Sequence, residues 1–241
     1  MPQYRGNVGN LLQHWVLCEL VAESGRHFKQ IRFVDAFAMA PLATERVRPG
    51  PSASLFDHVR DRTHGGTPYE RTWHQLAPNR SAYPNSASFF TTMWATSQRQ
   101  SPECDDIEIA GADWRERFER SVATSDTLTY LSFDPDKFDR HGSDNPRIMD
   151  PADLDAVAAA LEPIRGAVLV QLSTYSANRD NGQEAVAKAV VSGLNEAGLT
   201  LLARVRVDGQ MMSLVLGRHA GSLGEIGSLP ARFDSWLSIR P

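Results

Sequence analysis

The stretch TLTYLSFDPDKFDRH, from Thr127 to His141, changes character halfway along its length. Its first half is apolar and rich in β-forming residues, whereas Pro135 interrupts the second half and charged residues surround it. An apolar run followed by a proline and charged residues is typical of a buried strand in a parallel sheet that leads into a loop at its carboxyl end. Ligands of open α/β sheets bind at those ends. Asp134, the first charged residue after the apolar run, is therefore the first candidate for chemistry; the alternative is that it only caps the proline turn.

Composition limits the class of protein. The chain has 241 residues, which suits one large α/β domain or two small ones, and 41% hydrophobic with 22% charged residues is ordinary for a soluble protein. The net charge of −4 does not favour general attraction to phosphate. RNA is therefore a possible partner, but the net charge does not support it. We expect no membrane partner, because no segment approaches the length of a membrane span and the amino terminus has no signal-peptide apolar region. A cytoplasmic enzyme is the expectation, and the oligomeric state is left open.

The two cysteines, Cys18 and Cys104, predict neither a metal site nor a disulfide framework. Their spacing does not match that of metal ligands, and two cysteines are too few for a stapled fold. We expect both to be reduced and buried.

Hydrophobic periodicity predicts an alternation of strands and helices. The predicted strands cover residues 31–34, 107–113, 128–133, 167–172, 200–207 and 211–216. The predicted helices cover residues 11–24, 54–62, 69–76, 86–98, 114–123, 151–161 and 183–197. Asp208-Gly209 between the last two strands is a hairpin signal. The pattern predicts an α/β, Rossmann-like fold: a mostly parallel sheet with helices on both faces and a terminal antiparallel hairpin.

Several finer expectations accompany this fold. We predict a single domain over 1–241, in which residues 42–85 form an irregular or helical insertion or lid. Asn10 is expected to cap the first helix and Gly25 to end it. Asp150 should cap the helix that begins at Pro151. The glycine-rich tail from Arg218 onward is expected to lie over the surface.

Asp35 marks a second candidate site. It follows the predicted strand 31–34, where doubly wound folds cradle a nucleotide-type cofactor. Such loops use glycine so that the backbone can approach the ligand closely. Here Ala38, Met39 and Ala40 occupy that place. An ordinary strand-to-helix turn is the alternative interpretation.

Five short stretches then occur in a familiar order. They are GNVGNLLQH (residues 6–14), FVDAFA (33–38), YPNS (83–86), AD (112–113) and DP (134–135). With the terminal hairpin, they are similar to the class I S-adenosylmethionine-dependent methyltransferase fold. More narrowly, they resemble the bacterial family that methylates the N6 amine of an adenine in 23S ribosomal RNA. The resemblance covers roughly residues 3–217.

This resemblance implies S-adenosylmethionine as the cofactor and assigns residues to its site. The implied cofactor-binding residues are Asn10, Gln13, His14, Asp35, Phe37, Ser86, Asp113 and Asp134. Among these, Asp113 would accept a hydrogen bond from the cofactor's adenine amine, and Asp134 would also meet the substrate.

The sequence departs from the family at the substrate motif. Asp136-Lys137 stands where the family has Pro-Tyr, so the stacking tyrosine is missing, and Phe138 is the nearest aromatic replacement. The family's lysine is Gln13 here, and the glycines of its first cofactor motif are absent. The implied catalytic residues are therefore Asp134, Asp136 and Phe138, with Asp134 orienting or deprotonating an amine or hydroxyl acceptor.

Three alternatives remain open. The same fold could act on a small biosynthetic intermediate rather than on a nucleobase in RNA. A non-catalytic binding or partner module could have lost the cofactor glycines. A magnesium or calcium site could use the loop side chains of Asp134, Asp136, Asp139, His141 and Asp144. Clustered loop acids are usually only solvated, so no metal is predicted.

Overall fold

The computed structural model describes most of the helices and strands. The described residues are 8–38, 66–76, 84–97, 103–108, 114–122, 128–135, 137–144, 148–175, 180–207, 211–221 and 223–238.

The described strands form one six-stranded sheet and one two-stranded pair. The strands are β1 (Ile31–Ala38), β2 (Glu103–Glu108), β3 (Leu128–Phe133), β4 (Lys137–Phe138), β5 (Ile148–Met149), β6 (Val168–Tyr175), β7 (Thr200–Val207) and β8 (Met211–Arg218). The main sheet has the order β2-β1-β3-β6-β8-β7, and β4 pairs with β5. β1, β2, β3 and β6 run parallel, whereas β8 is antiparallel to β6 and to β7. The predicted sheet and its terminal antiparallel pair are confirmed.

Seven α-helices are described, and they cover both faces of the sheet. They are α1 (Val8–His27), α2 (Pro68–Leu76), α3 (Ser86–Ser97), α4 (Trp114–Val122), α5 (Pro151–Leu161), α6 (Asp180–Asn195) and α7 (Leu229–Ser238). Side chains of α1, α2, α3 and α7 share one buried cluster with one face of the sheet. Side chains of α4, α5 and α6 share a second cluster with the other face. The predicted α/β class with helices on both faces is therefore correct.

The organising strand and the following helix match their predictions closely. β3 spans Leu128–Phe133, and all six of its residues are buried. Asp150 caps α5 by accepting from the Asp153 backbone N–H at 3.1 Å, while the Asp153 carboxylate accepts from the Asp150 N–H at 3.0 Å. This reciprocal capping satisfies amides that the first helical turn otherwise leaves unpaired.

Both predicted ends of the first helix are wrong. α1 begins at Val8, so Asn10 lies inside the helix, and it passes through Gly25 to end at His27. Almost every described side chain from Asn10 to Ser24 is buried. Contacts with the sheet and with three helices stabilise the helix beyond the limits that local cap signals suggest, because tertiary packing overrides propensity.

The carboxyl-terminal segment is part of the core rather than a surface tail. Phe233 and Trp236 on α7 pack against Trp15 of α1, with ring centroids 5.0 and 6.0 Å apart. Arg232 pairs with the buried carboxylate of Glu19 at 3.0 Å. The apolar spacing 226, 229, 233, 236 is helical, but the glycines before it hid this signal from the sequence interpretation.

Several strand bounds differ from their predictions. β1 continues to Ala38 instead of ending before Asp35, and β2 is Glu103–Glu108 rather than residues 107–113. Sheet order puts β2 beside β1, a neighbour that the sequence did not reveal.

Other predictions fall largely outside the described residues. Of the insertion 42–85, the structure describes 66–76, which hold α2, and 84–85. The predicted helix 54–62 and the hairpin turn at Asp208-Gly209 are not among the described residues. None of the described helices is long and apolar enough to cross a membrane. Cys18 is a buried free thiol, as predicted.

Candidate functional site

The face of the sheet beneath α1 becomes polar toward the carboxyl edge. Phe33 on β1 and Leu169 on β6 belong to the apolar cluster on this face. Two residues further along those strands, Asp35 and Gln171 point to the same face, because side chains alternate along a strand. Ser132 of β3 lies between them, in register with both. Asp35, Ser132 and Gln171 thus form a polar row across three adjacent strands.

Ser132 carries an unsatisfied group in this row. Its side chain is fully buried, and among the described residues its Oγ has no hydrogen-bond partner. Burying an unpaired hydroxyl costs about 1–3 kcal/mol, so such groups usually bind water or a ligand. The neighbouring strand position holds the buried carboxylate of Asp35. This part of the row fits a ligand that brings hydrogen-bonding groups to the carboxyl edge.

Asp134 lies where β3 leaves the sheet. It is half-buried, and the next residue, Pro135, is buried. It lies two positions after Ser132, which corresponds to roughly 6–7 Å of extended chain. Asp134 is therefore the first residue beyond β3, at the carboxyl edge where the polar row lies.

A second group of predicted residues meets between α1 and α3. Gln13 Nε2 donates to Ser86 Oγ at 3.2 Å, and His14 Nε2 lies 3.0 Å from the same oxygen. Because Ser86 accepts from Gln13, its own hydrogen can be donated to the unprotonated nitrogen of a neutral imidazole. The His14 ring also stacks on Phe89 at a centroid distance of 4.5 Å. Ser86 lies 73 positions after Gln13 and 72 after His14 in the sequence, yet the three side chains form one buried polar cluster.

Burial keeps the His14 imidazole neutral. It lowers the pKa of His14 from 6.5 to about 3, because removing the ring from water disfavours its charged form. His14 thus offers hydrogen bonds but no positive charge at neutral pH, and Gln13 beside it is uncharged as well.

The depressed pKa predicts an acid-sensitive fold. Above pH 6.5 the folded and unfolded states both hold neutral His14; as the pH falls from 6.5 to 3, only the unfolded state binds the proton. His14→Gln removes this linkage. We expect wild type to lose about 3 kcal/mol more unfolding free energy than the variant between pH 7 and pH 4. Urea unfolding at a series of pH values measures this difference.

Ser86→Ala is the matched variant for that experiment. It removes the hydroxyl that contacts His14 but keeps the buried imidazole, so its pH profile should run parallel to that of wild type. Parallel profiles for wild type and His14→Gln would show that His14 is not the source of the acid sensitivity.

The other predicted site residues are either buried elsewhere or outside what the structure describes. Asn10 is buried within α1. Phe37 lies in β1, but the structure does not describe its side chain, and neither Asp113 nor Asp136 is among the described residues. Phe138 is only 3% exposed and belongs to the core cluster on the opposite face of the sheet. Its ring would have to leave this cluster to stack on a base, so the burial of Phe138 does not support its predicted catalytic role, which stays a prediction.

The acidic loop after β3 is held by its own contacts. Asp139 accepts from the His141 backbone N–H at 3.1 Å and lies 3.8 Å from Lys137 Nζ. The hydrogen bond from His141, followed by nearby positive charges, lowers the pKa of Asp139. In the part of the chain that the structure describes, no group of three or more potential ligand side chains could hold a metal ion.

The sequence interpretation missed three positions at this edge. Ser132 and Gln171 lay inside runs read simply as buried strands, although a polar residue between apolar neighbours was a usable signal. Glu108 is the last residue of β2 and is paired with Ala38 of β1.

Comparison with known proteins adds information at the level of the fold. No protein-family model matches the sequence, and no curated protein shows significant similarity to it. The chain is similar to the crystal structure of protein LPL1258 from Legionella pneumophila str. Philadelphia 1, which is described as DUF519. The likeness is one of fold. The TM-score is 0.55 with 13% sequence identity, over 97% of this chain and 94% of the Legionella chain.

Proposed function

We propose that this chain is an S-adenosylmethionine-dependent methyltransferase that acts on an amine or hydroxyl acceptor. The observation that supports it best is the polar row at the carboxyl edge, where Asp35 and Ser132 are neighbours and Asp134 comes directly after β3. The sheet order, with its antiparallel β8, agrees with the class I methyltransferase fold that the sequence motifs resemble.

The side chains present fit the polar parts of this cofactor. The Asp35 carboxylate can accept a hydrogen bond from an ammonium group. The Ser132 hydroxyl, which has no partner among the residues that the structure describes, can donate or accept one. S-adenosylmethionine supplies a methyl group on a sulfonium, so its leaving group is already activated. The protein therefore needs to hold donor and acceptor in line rather than to activate the donor.

Asp134 is proposed to act on the acceptor. Its carboxylate accepts a hydrogen bond from the attacking amine or hydroxyl, which directs the lone pair toward the methyl carbon. The nitrogen or oxygen of the acceptor would gain the methyl as the methyl–sulfur bond breaks, its electron pair would stay on the sulfur of the departing S-adenosylhomocysteine, and the acceptor's proton would pass to Asp134 or to water. Asp134 is half-buried and comes directly after β3, so its position in the chain suits a role at the carboxyl edge of the sheet.

A small-molecule acceptor is favoured over a nucleobase in RNA. Lys137, which stands at the position of the family's stacking tyrosine, is exposed and has no aromatic ring. The ring of the next residue, Phe138, is buried in the core. The net charge of −4 gives no general attraction to phosphate. If RNA is the acceptor after all, binding will weaken steeply as salt is raised.

One observation favours a non-catalytic binding module as the second candidate. β1 remains a strand through Ala38, and no glycine occurs between Asp35 and Pro41. A backbone without glycine approaches a ligand less closely. Such a module would retain the fold and the acids but bind no S-adenosylmethionine.

Calorimetric titration separates these two candidates. We expect both S-adenosylmethionine and S-adenosylhomocysteine to bind purified, ligand-free protein with a Kd in the micromolar range, about −8 kcal/mol. The two ligands differ only in the methyl group and in the positive charge it places on sulfur, so loss of heat for one ligand in protein saturated with the other shows that they share one site. Absence of heat with either ligand, at protein concentrations well above that Kd, would favour the non-catalytic module.

A further inference from the structure

Gln171 is a fully buried amide whose hydrogen-bonding groups are all engaged. Its Nε2 donates to the backbone carbonyl of Gln13 at 2.8 Å and lies 3.3 Å from Ser173 Oγ and 3.2 Å from Ser213 Oγ. Its Oε1 accepts from the hydroxyl of Tyr130. Because a buried amide is costly unless it is paired, this network keeps Gln171 in one orientation.

The bond to Gln13 joins the sheet to the part of α1 that carries predicted cofactor residues. The side chain of Gln13 donates a hydrogen bond to the Ser86 hydroxyl, and the adjacent His14 ring is hydrogen-bonded to the same hydroxyl. Apolar packing between α1 and the sheet is not directional, whereas a hydrogen bond fixes both distance and angle. The Gln171 bond therefore sets the position of this helical turn along and around the helix axis.

The network also reaches β3, the strand that ends just before Asp134. Tyr130 lies on β3, on the same face as Ser132. Burial raises the pKa of Tyr130 well above its usual range, so its hydroxyl keeps its proton and remains a donor to Gln171. A continuous chain of hydrogen bonds thus runs from Tyr130 through Gln171 and Gln13 to Ser86.

We propose that Gln171 is a positioning residue for the cofactor site: by holding the Gln13 carbonyl, it places Gln13 and His14 relative to Ser86 and to the end of β3. The inference rests on the proposed methyltransferase function. Gln171 touches no reacting atom itself. Its effect is on alignment, where errors of about 1 Å can cost on the order of a hundredfold.

The test compares variants that break different bonds of the network. Gln171→Met has a similar length and removes every bond of the amide, whereas Ser213→Ala leaves the bond between Gln171 and Gln13. We expect Gln171→Met to raise the Kd for S-adenosylhomocysteine by about tenfold or more, and Ser213→Ala by less than about threefold. Gln171→Asn, whose shorter amide does not reach Gln13, replaces the methionine variant if that protein does not fold.

Hydrogen–deuterium exchange makes the result independent of the ligand. Amides in the first half of α1 should exchange faster in Gln171→Met than in Ser213→Ala, because only the former frees this turn. If wild type binds neither cofactor form, the proposed function fails, whatever the exchange shows. If wild type binds and the two variants match in affinity, the positioning role is overturned. Equal α1 exchange in the two variants likewise overturns it.

Discussion

Asp134→Asn is expected to lower methyl transfer by at least about a hundredfold while cofactor affinity stays within about threefold. Asparagine keeps the size and one oxygen of the side chain, but it cannot take up a proton. The loss should therefore appear in turnover and not in binding. Transfer of labelled methyl from S-adenosylmethionine to RNA and to the small-molecule fraction of a cell extract measures turnover for either class of acceptor.

Asp139→Asn is the matched control for this experiment. Asp139 lies five residues later, directly after β4, and is engaged with the His141 backbone and with Lys137. Its replacement should leave turnover nearly unchanged. Undiminished transfer by Asp134→Asn would remove Asp134 from the mechanism and leave the capping role as its explanation.

Asp35→Asn is expected to weaken cofactor binding by about 10–100-fold. Hydrogen bonds to a charged group contribute about 1.5–3 kcal/mol, and the variant loses the charge while it keeps the shape. Calorimetry with S-adenosylhomocysteine gives the affinity, and thermal unfolding of the ligand-free variant shows that it is folded.

Ser132→Ala provides a graded comparison on the neighbouring strand. It removes a neutral hydroxyl, so its effect on affinity should be smaller than that of Asp35→Asn, about tenfold or less. Its fold should be stabilised or unchanged in the absence of ligand, since the hydroxyl has no partner among the described residues. If Asp35→Asn binds S-adenosylhomocysteine as tightly as wild type, the cofactor site does not include Asp35 on β1.

Sequence patterns sufficed for the elements that rest on local signals. The apolar run 128–133 predicted β3, and Asp150-Pro151 predicted the start of α5, because a strand buried on both faces and a capped helix start each have a local signature. The alternation of strands and helices gave the α/β class and the terminal antiparallel pair. Local signals failed for α1 and α7, whose limits depend on burial against other elements.

The candidate site divides in the same way. The sequence alone singled out Asp35 and Asp134 as acids at strand ends, and the resemblance added Gln13, His14 and Ser86. Only the tertiary structure showed that the last three meet, that His14 is buried and neutral, and that Phe138 lies in the core.

The polar row illustrates the physical reason. Ser132 and Gln171 belong to different strands, and only the pairing of β1, β3 and β6 aligns them with Asp35. Side-chain alternation along each strand is encoded locally, whereas register between strands is set by packing of the whole sheet. The sequence therefore determined which residues could carry chemistry, and the tertiary structure decided which of them are neighbours.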